Sequence, residues 1–109
     1  MLEKQKMILN LFDKWKLTEQ EAANILNLSL VHYYEFKSGE CENMNSDLRD
    51  KINELLRIHK ALIIIFKAPE RGYRWIRRPN SVFNDKTALE IMMLDLTRVR
   101  TYLEAEVNG

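Results

Sequence analysis

Leu48, Ile52, Leu55, Leu56, His59, Leu62, Ile63 and Phe66 share one stripe at helical spacing, and neither glycine nor proline interrupts the chain between Ser46 and Lys67. That spacing predicts one long helix over about Ser46 to Lys67. The run Leu62-Ile63-Ile64-Ile65-Phe66 has strand propensity taken alone, but the stripe continues through it in phase and favours helix. The 109 residues contain only 3 Gly and 2 Pro, so few tight turns are written in and helix is the default elsewhere. A chain of this length buries one modest core, with little surface left for a deep catalytic cleft.

Ile8, Leu11, Phe12 and Trp15 recur at i, i+3, i+4 and i+7 and predict a first helix over about Leu2 to Lys16. Thr18 with Glu21 reads as a capping box opening a short second helix, whose inner face is Ala22, Ala23, Ile25 and Leu26. Asn27 tolerates the left-handed conformation of a tight turn. Leu28 plugs that turn. Ser29 caps a third helix that buries Tyr33 and Phe36 and stops at Gly39. A polar stretch, Glu40 to Asn45, leads into the long helix. Beyond it, Pro69 starts a helix to about Arg77, and Arg78 to Ser81 form a turn. Thr87 with Glu90 opens a helix carrying Leu89, Met92 and Met93. After a break at Asp95 to Thr97, Val99, Tyr102 and Leu103 define a last helix ending near Glu106, and the tail, Glu104 to Gly109, is short, acidic and mobile. The fold class expected is all-α.

Leu17 to Gly39 has the spacing of a helix-turn-helix, with small Ala23 at the helix crossing and Asn27 in the turn. This arrangement projects the end of the second helix toward a DNA major groove. The residues available to DNA are then Ser29, Leu30, Val31, Tyr34, Glu35, Lys37 and Ser38, with Ser29 and its neighbouring amides able to hold a phosphate. Base readers are typically Arg, Lys, Asn or Gln. Here Lys37 is the only Lys or Arg on that helix, and residues 1–39 carry five basic and five acidic side chains. Two readings stand: a DNA-binding unit, or a helical core module whose third helix touches another protein.

The whole chain has a formal net charge of +1, which excludes a uniformly basic coat. The charge is local. Residues 67–86 carry six basic side chains (Lys67, Arg71, Arg74, Arg77, Arg78 and Lys86) against two acidic ones, and residues 87–109 carry two basic against four acidic. Arg74, Arg77 and Arg78 place positive charge beside Trp75, and Arg and Trp are enriched where binding energy concentrates. The competing reading puts Trp75 and Tyr73 in the core ahead of a contact and leaves Arg77 and Arg78 on a solvated face.

Ala68 to Leu103 resembles the toxin-binding domain of the Xre/MbcA/ParS antitoxin family. The resemblance rests on Trp75-Ile76-Arg77-Arg78-Pro79-Asn80, then Phe83, then Thr87-Ala88-Leu89-Glu90, then Val99-Arg100 and Leu103. A preceding Xre-like helix-turn-helix matches the family's order. The family's usual glycine near Asn84 and Asp85 and proline near Ala88 are absent; Asn84 and Asp85 still suit a turn, and the Thr87 cap remains. The resemblance implies a helix-turn-helix domain over 1–57 joined by the long helix to a small helical toxin-binding domain over 58–109. It implies a homodimeric bacterial cytoplasmic antitoxin that binds a toxin encoded beside it, often one with a RES domain that attacks NAD. Operator binding and autorepression would follow from the N-terminal half. On that basis the toxin-binding residues are Arg74, Trp75, Arg77, Arg78, Asn80, Arg100, Leu103, Glu104, Glu106, Val107, Asn108 and Gly109, with the acidic tail seated in a cleft built for dinucleotide phosphates. The alternatives are a stand-alone helix-turn-helix regulator and an interaction module that has lost DNA binding.

No catalytic residue, metal site or cofactor is expected. His32 and His59 lie on separate helices without a motif, and no Gly-rich phosphate loop, H-E-x-x-H or Cys pair occurs. The single Cys41 excludes an intrachain disulfide and a Cys-based zinc cluster. Glu40 and Glu42 beside it would raise its pKa, away from a reactive thiolate. The longest apolar run, Ala61 to Phe66, is far too short to span a bilayer, and charged residues interrupt the N-terminus where a signal peptide would be apolar. No membrane partner is expected.

Overall fold

The computed structural model describes residues 3–39 and 45–109. These form seven α-helices and one two-stranded ribbon: α1 Glu3–Lys14, α2 Glu19–Leu26, α3 Leu30–Ser38, α4 Ser46–Phe66, α5 Pro69–Trp75, β1 Pro79–Asn80, β2 Lys86–Thr87, α6 Ala88–Leu94 and α7 Leu96–Asn108. The all-α expectation is borne out. The chain divides into two compact units, Met1–Asn53 and Glu54–Gly109. The division falls inside α4. The expectation about Cys41 lies outside the described residues.

In the first unit α1 and the turn after it bury Ile8, Leu11, Phe12 and Trp15, the expected stripe. The helix ends in a left-handed residue, Lys16 (φ 57°), with the Leu17 amide donating to the Phe12 carbonyl at 3.1 Å. Asn27 (φ 56°, ψ 44°) repeats this device after α2, and the Leu28 amide donates to the Ala23 carbonyl at 2.9 Å. In both cases two end carbonyls gain donors that the helix itself lacks. The Thr18–Glu21 capping box forms in both directions. Ser29 caps α3 by accepting from the His32 amide at 3.2 Å. Ala22, Ala23, Ile25, Leu26, Tyr33 and Phe36 are all buried, as expected, and Gly39 is left-handed at the C-cap of α3.

Helix wins over strand for Leu62 to Phe66. The face of α4 differs from the expected one. Ile58 and Ala61 are buried beside Leu48, Ile52, Leu55 and Leu62, while Leu56, His59 and Phe66 are half-buried and Ile63 is exposed. A straight helix turns about 100° per residue, so a stripe drawn through two adjacent columns over five turns selects the wrong column at its far end.

In the second unit α4 ends at left-handed Lys67 (φ 61°), and Pro69 starts α5. Gly72 is buried; a Cβ on it would stand 3.3 Å from the Leu62 Cβ, so glycine lets α5 close onto α4. The helix stops at Trp75 instead of Arg77. The expected turn is part of a small ribbon: Pro79 pairs with Thr87 and Asn80 with Lys86, antiparallel. Between them lie a 3-10 turn, Ser81–Phe83, and left-handed Asn84 and Asp85 (φ 56° and 67°). The Thr87–Glu90 capping box then starts α6. Asp95 is the whole of the expected break, and its side chain caps α7 by accepting from the Arg98 amide at 3.3 Å. The helix continues to Asn108, so the tail expected to be mobile is the last turns of α7. Among the described residues no helix is long and apolar enough to cross a membrane.

Candidate functional site

The sequence placed two sets of functional residues in this chain, one in each unit. On α3, Val31 is 66% exposed and Tyr34 50%, with Leu30 at 37%. Glu35, Lys37 and Ser38 are also exposed. The one cation of this helix is already engaged: Lys37 lies 3.6 Å from the Glu19 carboxylate on α2 and 5.9 Å from the centre of the Tyr33 ring. Burial, then the charges of Glu19 and Asp13, push the Tyr33 phenol up to about 12, so it stays neutral. The Ser38 hydroxyl donates to the Glu35 carbonyl at 3.0 Å. The presented face is therefore apolar and aromatic, with little free positive charge to meet a phosphate backbone.

In the second unit, the aromatic side chains build a platform. Trp75 stacks nearly parallel to Tyr102 (6.1 Å, 6°), and Phe83, 1% exposed, meets both edge-on at 6.3 and 5.6 Å. Phe66 meets Trp75 at 6.0 Å, tilted by 43°. The Arg98 guanidinium sits 5.5 Å from the centre of the Phe83 ring. Trp75 is half-buried: one side belongs to the platform, and the other lines a surface groove of about 480 Å³ with Phe66, Arg71, Arg74 and Arg78. The spacing 71, 74, 75, 78 is one helix face, so α5 and the turn after it bring these side chains together.

Arg77 is exposed and does not line this groove. The Asn80 side chain accepts from the Val82 amide at 3.0 Å and its carbonyl accepts from the Asp85 amide at 2.9 Å, which holds the 3-10 turn that carries Phe83.

The remaining expected residues lie on α7. Leu103 is 1% exposed and belongs to the core. Arg100 donates to Glu54 and to Glu104, the latter at 2.9 Å. Arg57 grips Glu104 with two bonds, 2.6 and 2.9 Å. Those hydrogen bonds, from Arg57 first and then Arg100, hold the Glu104 carboxyl below the usual carboxylate range, and the bonds of Arg100 to Glu104 and then Glu54 raise Arg100. Glu104 is thus committed within the unit. Glu104, Val107 and Asn108 line a second groove, of about 440 Å³, with Arg57, Lys60, Ala61 and Ile64. Glu106 and Gly109 are exposed, and the Gly109 amide donates to the Ala105 carbonyl at 2.8 Å.

Sequence reasoning missed Arg71 and Phe66 as neighbours of Trp75, and Arg57 and Glu54 as partners of α7. Arg71 was legible as the i−4 neighbour of Trp75. The α4–α7 ion pairs were not, because they join residues more than forty positions apart.

Residues 61–109, which carry both grooves except for Arg57 and Lys60, match the antitoxin Xre/MbcA/ParS C-terminal toxin-binding domain. The chain is also similar to the uncharacterised protein y4oB of Sinorhizobium fredii (strain NBRC 101917 / NGR234), at 32% identity over 102 residues, covering 89% of this chain and 78% of that protein. No solved structure matches it. The resemblance drawn from Trp75 to Leu103 and the matched region coincide on the same compact unit, and the similarity to y4oB extends over the first unit as well, so this chain belongs to the Xre/MbcA/ParS antitoxin family.

Proposed function

We propose that the chain is the antitoxin of a type II toxin–antitoxin pair, acting by binding and without chemistry of its own. The second unit occupies a toxin encoded beside it, and the toxin is a RES-domain enzyme that degrades NAD. One observation carries this reading: the toxin-binding match falls on the unit that presents a tryptophan edged by three arginines. Arg74, Trp75 and Arg78 are the first contacts we assign, with Arg77 at the rim, and Glu106 to Gly109 at the end of α7 reach toward the toxin's cleft. Arg100, Leu103, Glu104 and Asn80 serve the interface from within, by fixing α7 and the turn. The test is enzymatic. The purified product of the adjacent open reading frame is assayed for NAD consumption with increasing amounts of the chain. Loss of activity at one equivalent is expected; full activity at saturating chain contradicts the proposal.

We further propose that α2 and α3 form a helix-turn-helix through which a homodimer binds its operator and represses its own expression. Tyr34→Ala or Lys37→Ala should then weaken operator binding in an anisotropy titration at moderate salt. A specific observation favours a second reading for this unit. Leu30, Val31 and Tyr34 make an exposed apolar face, and Lys37 is held by Glu19, which suits contact with protein better than contact with phosphates. Unchanged operator binding in both variants would select it.

A further inference from the structure

Several cations on this protein are paired with acidic neighbours. Lys37 meets Glu19, Lys51 meets Asp47, and Arg57 and Arg100 share Glu104. The groove beside Trp75 gathers three that are not. Among the described residues, neither Arg71, Arg74 nor Arg78 forms an ion pair; Arg74 only donates a long bond, 3.4 Å, to the Glu70 carbonyl one turn back. Like charges packed on one helix face repel, so three guanidiniums around one concavity cost the free protein stability that an anionic occupant returns. The floor of the groove is aromatic, from Phe66 and Trp75. An open groove of about 480 Å³ accommodates a few side chains, and planar guanidiniums grip carboxylates two bonds at a time.

We infer that this groove docks an acidic segment of the toxin, a stretch with two or three Asp or Glu side chains flanking an apolar or aromatic one. The carboxylates lie against Arg71, Arg74 and Arg78, and the apolar side chain covers the exposed side of Trp75. This rests on the toxin-binding reading above and adds two things to it: the chemistry of the partner segment, and Arg71 and Phe66 as members of the site. Tryptophan and arginine at the centre of such a contact are the residues whose loss costs a complex most.

The experiment measures the affinity of the full chain for the purified product of the adjacent open reading frame, by calorimetry. It compares wild type, Arg71→Glu/Arg74→Glu/Arg78→Glu, the charge-preserving Arg71→Lys/Arg74→Lys/Arg78→Lys, and Lys6→Glu/Lys14→Glu as a reversal on exposed α1 positions. All substituted side chains are solvent-exposed, and a thermal melt checks folding. The triple reversal is expected to weaken binding by at least about 30-fold. The lysine variant should fall between it and wild type, and the α1 reversal should stay near wild type. Wild-type affinity should drop when salt is raised from about 0.15 M to about 1 M, and the triple reversal should be nearly indifferent to salt. If wild type binds and the triple reversal binds equally well, the acidic-segment inference is overturned while toxin binding stands. If the reversal leaves the toxin complex intact but abolishes binding to a labelled random-sequence duplex, the groove serves phosphates and the inference is likewise overturned. If wild type does not bind at all, the toxin-binding reading fails and the inference falls with it.

Discussion

Glu104 accepts bonds from two arginines on two helices, and it shows how a residue assigned to a partner surface can be held inside its own unit. Its folded pKa lies below the unfolded value of about 4.3. The carboxylate therefore contributes stability that is fully present above that value and is lost as pH falls through the folded pKa. Melting curves at about pH 6 and about pH 3 should show a larger drop for wild type than for Glu104→Gln; equal drops would contradict the role given to this residue. It also follows that truncation to probe the end of α7 should begin at Glu106, since removing Glu104 releases Arg57 and leaves Arg100 with Glu54 alone. Thr87 is a second case of a side chain with a defined local task. It accepts from the Glu90 amide at 3.0 Å, and Thr87→Ala should cost about 1 kcal/mol in chemical denaturation.

The helices differ in how far their sequences foretold them. Local rules specify α2 and α3 closely: Thr18, Asn27, Ser29 and Gly39 stand at the caps that hydrogen-bonding chemistry assigns to such residues. The Thr87 cap was equally legible. What escaped was decided by packing across distant segments. Ile58 and Ala61 displaced Leu56 and Ile63 from the buried face of α4, and the β1–β2 ribbon depends on pairing that no local pattern announces. The end of α7 was read as a tail because Glu104 and Glu106 look solvated in sequence, yet Arg57 and Arg100 hold the first of them. The candidate groove was half visible: Arg74, Trp75 and Arg78 were named from local charge and the family resemblance, while Phe66 enters only through the fold. The corrected face of α4 makes its own prediction. Ile58 is fully buried, so Ile58→Ala should lose about 2–5 kcal/mol, and half-buried Leu56→Ala clearly less. A reversed order would restore the original stripe.

At the scale of the molecule, two compact units share α4, and the toxin-binding match lies on the second. Two-fold related helix-turn-helix units read paired half-sites. The homodimer proposed on these grounds should appear by light scattering at micromolar concentration, and a monomer would contradict it. The central claim is that this chain neutralises a toxin through its second unit. Co-expression with the product of the adjacent open reading frame tests it most directly, scoring growth and co-purification with wild type and with the Arg71→Glu/Arg74→Glu/Arg78→Glu variant. The account predicts rescue and a stable complex with wild type, and loss of both with the variant. A toxic neighbour that wild type neither rescues nor retains would contradict it.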